Sequence, residues 1–280
     1  MKGNYIRYDK DLNIESAIEA LRIYIPTEKG YVNYNFLRSV SDAKFLDTWR
    51  LGQVFAYNDA FQKEYDLTTH GAEWDMAIRL KDRDDFIGGY AHGDEYFTKM
   101  SLKIDGKDAD ISSFTEMTPF EELEIEVSSY GTDPDDHKTK VLNHIKHYNI
   151  GAQGIFLTQR VEWLGDYILD SSFLAMMPPP KSLTDTVSIN GGKGEEVKIG
   201  MRVKHCKKAV VYGEKSKIYY EMAIPEYPYY DEGAEFHITD NGNGGYNKMY
   251  FFVTPNKGDV KIKNGDVWNS VTQYSIKSLL

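Results

Sequence analysis

Most of the chain is patterned with a period of two. Val32, Tyr34 and Phe36 alternate with Asn33, Asn35 and Leu37, and Trp74, Met76, Ile78 and Leu80 alternate with Asp75, Ala77 and Arg79. Leu123, Ile125 and Val127 alternate with Glu122, Glu124 and Glu126. Leu142, His144, Lys146, Tyr148 and Ile150 share one face of the next run, and Ile155, Leu157, Gln159, Val161 and Trp163 share a face of the run after it. This is the signature of antiparallel strands with one face toward a core. An early segment reads differently. Asn13 could cap a helix in which Ile14, Ala17, Ile18 and Leu21 recur at helical spacing. Leu21, Ile23 and Ile25 then alternate before Pro26, so that helix would be short and run into a strand. Asp105-Gly106, Gly151 with Gly154, Gly191-Gly192, Asn241 to Gly245 and Asn264-Gly265-Asp266 supply tight reversals.

Many strands, short turns and few helices predict a mainly β protein, an antiparallel β-sandwich or jelly roll with a short N-terminal helix. A β-propeller would need a blade-length repeat, and none is present. Residues 1–30 are expected to form a helical or extended lead-in and residues 31–280 a single β-sandwich domain. Pro178-Pro179-Pro180 marks a stiff corner within it, and the polar stretch 182–196 reads as an exposed loop.

Composition narrows the function classes. Lys and Arg total 33 against 43 Asp and Glu, a net charge of −10. That balance argues against nucleic acid as a partner, since phosphate binding needs a basic face. No apolar run is long enough to span a bilayer as a helix, and the first residues lack a secretory leader. That does not make the setting cytoplasmic, and the expectation is an extracellular one or a phage particle, with no signal peptide in this chain. A single Cys, Cys206, rules out an internal disulfide framework and any Cys-cluster zinc site. Tyr, at 21 residues, is the notable surplus. A homo-oligomer is compatible with this composition.

The densest chemistry lies between His70 and Glu95. His70-Gly71-Ala72-Glu73 and His92-Gly93-Asp94-Glu95 repeat one motif, an imidazole followed by Gly and a carboxylate. Two adjacent strands could bring both to one sheet end; the bland alternative is a Gly-rich turn with solvated charges. His92 and its carboxylates could ligate calcium or zinc, but the spacing matches neither HExxH nor DxDxDG, so no cofactor is required. The second cluster places His144, Lys146 and Tyr148 on one face, with Arg160 on the following strand. Such a face is either a solvated outer surface, the default, or the floor of a polar cleft. Trp49 and Trp163 could stack on sugars or serve the core. Tyr227, Tyr229, Tyr230 and Tyr246 flank loops of the kind that bind glycans or anchor themselves. His205 beside Cys206 lacks an orienting Asp or Asn and is a poor nucleophile pair.

His70, His92, Tyr148 and Arg160, with the GGYAHGDE run, resemble the working set of polysaccharide lyases, including phage-type capsule depolymerases of the β-sandwich kind, over about residues 31–165. The resemblance implies β-elimination on an acidic, uronate-containing polysaccharide. A cation would neutralise the uronate carboxylate, and a base would take the adjacent proton. It makes His92 the leading base and Tyr148 the proton donor, or the base if His92 binds substrate. Arg160 and His70 would neutralise the carboxylate, and Glu95 or Glu73 would orient an imidazole. His144 competes with His92 and Tyr130 with Tyr148; Lys146 and Trp49 join the substrate-binding set. The lyase ranks first. A non-catalytic carbohydrate-binding or adhesion module ranks second. A glycoside hydrolase with carboxylates drawn from Glu73, Asp94, Glu95 and Glu162 ranks third.

Overall fold

The computed structural model describes residues 2–10, 14–15, 17–69, 74–240, 245–254 and 259–278. Strands dominate: β1 (Asn4–Lys10), β2 (Ala17–Thr27), β3 (Gly30–Ser41), β4 (Leu46–Tyr57), β5 (Lys63–Asp66), β6 (Ala77–Leu80), β7 (Glu95–Ile104), β8 (Lys107–Asp108), β9 (Thr118–Phe120), β10 (Leu123–Thr132) and β11 (Lys140–Gly151). They continue with β12 (Gly154–Trp163), β13 (Tyr167–Met177), β14 (Thr186–Ile189), β15 (Glu195–Glu196), β16 (Arg202–Cys206), β17 (Lys208–Tyr212), β18 (Ile218–Glu226), β19 (Ala234–Thr239), β20 (Lys248–Thr254), β21 (Val260–Ile262) and β22 (Val267–Ser278). A single α-helical turn, α1 (Gly89–His92), interrupts them among the described residues.

The strands form two sheets. The larger runs β15-β14-β17-β18-β22-β12-β11-β10-β7-β4-β3-β2-β1-β9, with β5 beside β4 and β8 beside β7. The smaller runs β16-β19-β20-β13-β21, with β6 beside β13. One contiguous core fills the space between them, joining Ile125, Tyr148, Leu157 and Tyr274 of the larger sheet to Leu174, Phe236 and Phe251 of the smaller. Polar ties cross it as well. The Tyr227 hydroxyl donates to Phe251 O at 2.6 Å and accepts from Leu174 N at 3.0 Å. The expected β-sandwich is therefore present. The larger sheet also curls, so that Tyr34 in β3 accepts a hydrogen bond from Ile276 N in β22.

Among the described residues the expected N-terminal helix is replaced by strand. Ala17–Thr27 is β2, hydrogen-bonded to β1 on one side and β3 on the other, and Asn13 lies outside the described residues. The misleading spacing has a local cause. The β2–β3 register shifts between Ala17 and Glu19, a bulge that breaks strict alternation. The bulge puts Ala17 and Ala20 in one buried cluster with Leu37, while Leu21 is buried on the other face in the main core, so the three together mimic the i, i+3, i+4 stripe of a helix. Two smaller expectations also change. The 182–196 stretch contains β14 and β15 rather than being loop throughout, and the strand expected from Trp74 starts only at Ala77. The Tyr surplus has a use here. Tyr24, Tyr31 and Tyr57 join Phe55 in a second buried cluster, against which Tyr5, Ile14, Phe61 and Met117 pack. Strands β3 and β4 are thus covered on both faces, not one.

One junction departs from the antiparallel pattern. β4 and β7 pair in parallel, and only at Leu46↔Glu95 and Asp47↔Tyr96. The other strand pairings are antiparallel, and past this short contact β4 and β7 part.

Candidate functional site

His144, Lys146 and Tyr148 do share a face of β11, but that face is neither a solvated surface nor an open floor. It lies inside the sandwich, and all three side chains are 0% exposed. The Lys146 ammonium donates to Glu95 Oε1 at 2.9 Å and to Trp49 O at 3.2 Å, and lies 3.0 Å from Asp75 Oδ2. The Tyr148 hydroxyl donates to the same Asp75 oxygen at 3.0 Å, and Ser129 Oγ donates to Glu95 Oε1 at 2.8 Å. Gln159 donates its amide to Leu174 O at 2.6 Å, which turns its carbonyl oxygen toward His144 Nε2 at 3.0 Å. That contact places a proton on His144 Nε2. Nδ1 sits 3.8 Å from Glu95 Oε1, too far for a hydrogen bond.

Burial opposes ionisation of Glu95, but the Lys146 ammonium and the neighbouring His144 outweigh it and hold the carboxyl well below the ordinary range. Burial likewise opposes the charge on Lys146, and Asp75 and Glu95 together overcome it, so its pKa is raised. Burial, reinforced by Asp75, pushes the Tyr148 phenol far above its usual value. Tyr148 thus keeps its proton, donated to Asp75, and is sealed in the interior. In this ion network one ammonium, that of Lys146, serves two carboxylates, Asp75 and Glu95. Glu95 Oε2 and His144 Nδ1 have no hydrogen-bond partner among the described residues.

The network reaches the surface through Trp49. Its carbonyl accepts a hydrogen bond from the Lys146 ammonium, while its ring stacks on Phe36 at 5.7 Å and lines a groove opened by the divergence of β4 and β7. The groove has a volume of about 460 Å³. Its floor is apolar: Trp49, Phe97, Met100 and Leu102. Its rim carries Glu19, Arg38, Lys99 and Asp110. Arg38 is gripped by Asp47 through two bonds of 3.1 Å, by Glu19 through one of 2.8 Å, and lies 4.9 Å over the Phe97 ring. The Tyr8 hydroxyl fixes the other oxygen of Glu19 at 2.6 Å. Cross-strand pairing explains the assembly, because Glu19, Arg38 and Trp49 occupy matched positions on β2, β3 and β4. A wider cleft at the β11–β12 turn is lined by Asp105, Glu121, Glu122, Asn149 and Phe156, but its residues do not touch the buried network.

The residues expected to work together are dispersed. Register places Arg160 opposite Ile145, on the outer face of the sheet, where it pairs with Glu162 at 3.2 Å. Tyr148 points inward. His92 ends the single turn α1, with Nδ1 2.6 Å from Asp85 Oδ1 and its ring against Phe86. His70 and Glu73 fall outside the described residues. Tyr130 stacks on Tyr96 at 5.5 Å, under the Lys140 ammonium. Glu95 does sit beside an imidazole, but that of His144 rather than His92. Of the candidate carboxylates, Asp94 is bonded to His137, Glu95 lies in the interior and Glu162 lies on the outer face. Among the described residues no three of His, Cys, Asp and Glu are grouped to hold a metal ion. Cys206 is buried, and burial pushes its thiol up to about 12, which removes it as a nucleophile. Sequence reading passed over Glu19, Arg38 and Asp47. Their only signal was alternation on strands whose pairing was not visible.

No family model matches the chain, and no curated protein matches it. Solved structures do. A galactose mutarotase-like protein from Clostridium acetobutylicum superposes with a TM-score of 0.52 at 11% identity, over 98% of this chain and 99% of that one. Galactose 1-epimerase from Lactobacillus acidophilus gives 0.48 at 8% identity, over 99% of each chain. The α-galactosidase from Lactobacillus brevis gives 0.47 at 8% identity, with 98% of this chain covering 39% of that one. The first likeness shows that the fold is the galactose mutarotase-like β-sandwich.

Proposed function

We propose that this chain is a saccharide-binding protein whose ligand occupies the groove between β4 and β7. The observation that carries the reading is the Glu19–Arg38–Asp47 array set over an apolar floor of Trp49, Phe97 and Met100. A pyranose has the same duality, a C–H face and a rim of hydroxyls. Carboxylates accept from those hydroxyls and a guanidinium donates to them. The ion pairs hold the polar groups in place beforehand, which reduces the ordering cost on binding. The fold shared with a galactose mutarotase-like protein supports a sugar as the ligand.

The groove favours a neutral sugar over the acidic polysaccharide suggested by residue content. Its rim matches Arg38 and Lys99 with Glu19 and Asp110, and Asp47 adds a further negative charge behind Arg38. A uronate would find no net positive field there. Binding without cleavage by elimination is the better account, because the acid–base groups of β11 are sealed within the core and Arg160 faces away from them.

Calorimetric titration with D-galactose tests this. Wild type is expected to bind, and Arg38→Ala to weaken binding at least tenfold, since a charge-assisted hydrogen bond contributes about 1.5–3 kcal/mol. No binding of D-galactose or of galacto-oligosaccharides would overturn the proposal. Release of an unsaturated uronate from a polyuronate, seen by its ultraviolet absorbance, would restore the lyase.

A further inference from the structure

Three residues with side chains adopt left-handed backbone at the head of the β4–β7 junction: Phe45 (φ 51°), Asp94 (φ 53°) and His137 (φ 55°). That conformation is uncommon for residues with a Cβ, above all for a bulky one, and it persists where surroundings enforce it. Here His137 touches both of the others. His137 Nδ1 lies 2.9 Å from Asp94 Oδ1, and its ring stacks on Phe45 at 3.5 Å and 6°. Asp94 N donates to Lys44 O at 3.0 Å. Thr132 donates through its hydroxyl to Asp94 Oδ1 at 2.9 Å and through its amide to Asp94 O at 3.0 Å. The His137 loop is pinned in turn, because His137 N donates to Asp133 O and Arg83 grips the Asp133 carboxylate at 2.8 and 2.9 Å. Yet the two rings are not buried. Phe45 is 36% exposed, and the His137 side chain 32%. The result is a rigid ring platform at the surface. Its Nδ1 is committed to Asp94, so Nε2 is the nitrogen left to a ligand.

We propose that Phe45 and His137 form a second sugar subsite continuous with the Arg38 groove, so that the ligand is an oligosaccharide rather than a single sugar. This rests on the saccharide reading of the groove. Continuity follows from the strands. Asp47, which grips Arg38, is two residues beyond Phe45, and its partner Tyr96 is two residues beyond Asp94. Two residues of chain span at most about 7 Å, a distance that one sugar unit bridges. Phe97, one residue further along β7, already lines the groove. The chemistry also fits. A flat ring takes the C–H face of a pyranose, and Nε2 accepts from a hydroxyl when neutral or donates to it when protonated. Because the rings are already fixed, little freedom is lost on binding.

The experiment titrates D-galactose and galactotriose against the intact chain. Wild type is expected to bind galactotriose about tenfold more tightly than galactose. Phe45→Ala and His137→Gln are expected to bring galactotriose down to the affinity of galactose and to leave galactose binding as it was. Arg38→Ala is expected to weaken both ligands. Equal wild-type affinities for the two sugars would overturn the subsite while leaving the groove in place, as would variants that weaken both sugars alike. If neither sugar binds, the groove reading fails and the subsite fails with it. His137→Gln keeps a polar side chain on the surface, so it tests the proposal even if the loss of Phe45 disturbs the turn.

Discussion

Replacing Lys146 by Met tests the account of the interior most directly. The ammonium is fully buried, 2.9 Å from Glu95 and 3.0 Å from Asp75, and neither carboxylate is more than marginally exposed. Met fills a similar volume but leaves two interior carboxylates without their cation. Breaking a buried pair by removing one partner is destabilising by about 3–5 kcal/mol. At about 2–3 °C per kcal/mol for a chain of this size, the melting temperature should fall by roughly 6–15 °C. The pH dependence gives the sharper signature. In the wild type, Glu95 titrates below its unfolded value, so its contribution is present at neutral pH and is lost as pH falls below about 4.3 toward the folded value. Without Lys146 the desolvation of Glu95 dominates, and its folded pKa moves above the unfolded one. The variant then loses stability as pH rises through that range and recovers it on acidification. Urea unfolding of both proteins at neutral pH and near pH 4 should therefore show a gap that narrows in acid. Adding Glu95→Gln to Lys146→Met should recover part of the loss. A gap under about 1 kcal/mol at neutral pH, or one that widens in acid, would refute the argument.

Other outcomes rest on single contacts. Tyr148→Phe removes one hydrogen bond to Asp75, which keeps Lys146, so the loss in urea unfolding should be about 1–2 kcal/mol, with galactose binding unchanged. Gly93→Ala should lose more than that by the same measurement, because φ is +95° and an added Cβ would come within 1.8 Å of Lys44 O, forcing the junction apart. Cys206 should stay unreactive toward a disulfide reagent in the native protein and react once urea unfolds it, since its thiol is buried and raised to about 12.

The local sequence was enough to identify β10, β11 and β12 and to group His144, Lys146 and Tyr148 on one face, because side-chain direction along a strand depends only on parity. It also put Arg160 on the opposite parity from Gln159, which is why Arg160 ends outside. Which of two parities faces the core is another matter. For β11 it depends on a second sheet folding over it and on counter-charges brought from far along the chain. Glu95 is 51 residues from Lys146, and Asp75 is 73 from Tyr148. A run containing His and Lys looks solvated until those carboxylates are in place, since buried charge is tolerated only when paired. The bulge in β2 was hidden for a related reason. The register shift belongs to the pairing with β3, not to β2 alone. The groove depends on tertiary structure most completely, because Glu19, Arg38 and Asp47 come from three strands and meet over Phe97 of a fourth. The chain by itself determined most of the strands, the grouping of side chains by parity along each, and the β-sandwich class. The curl of the larger sheet and the parting of β4 from β7 decided which polar residues were sealed in and which were left at an opening, because burial and charge pairing are properties of neighbours in space.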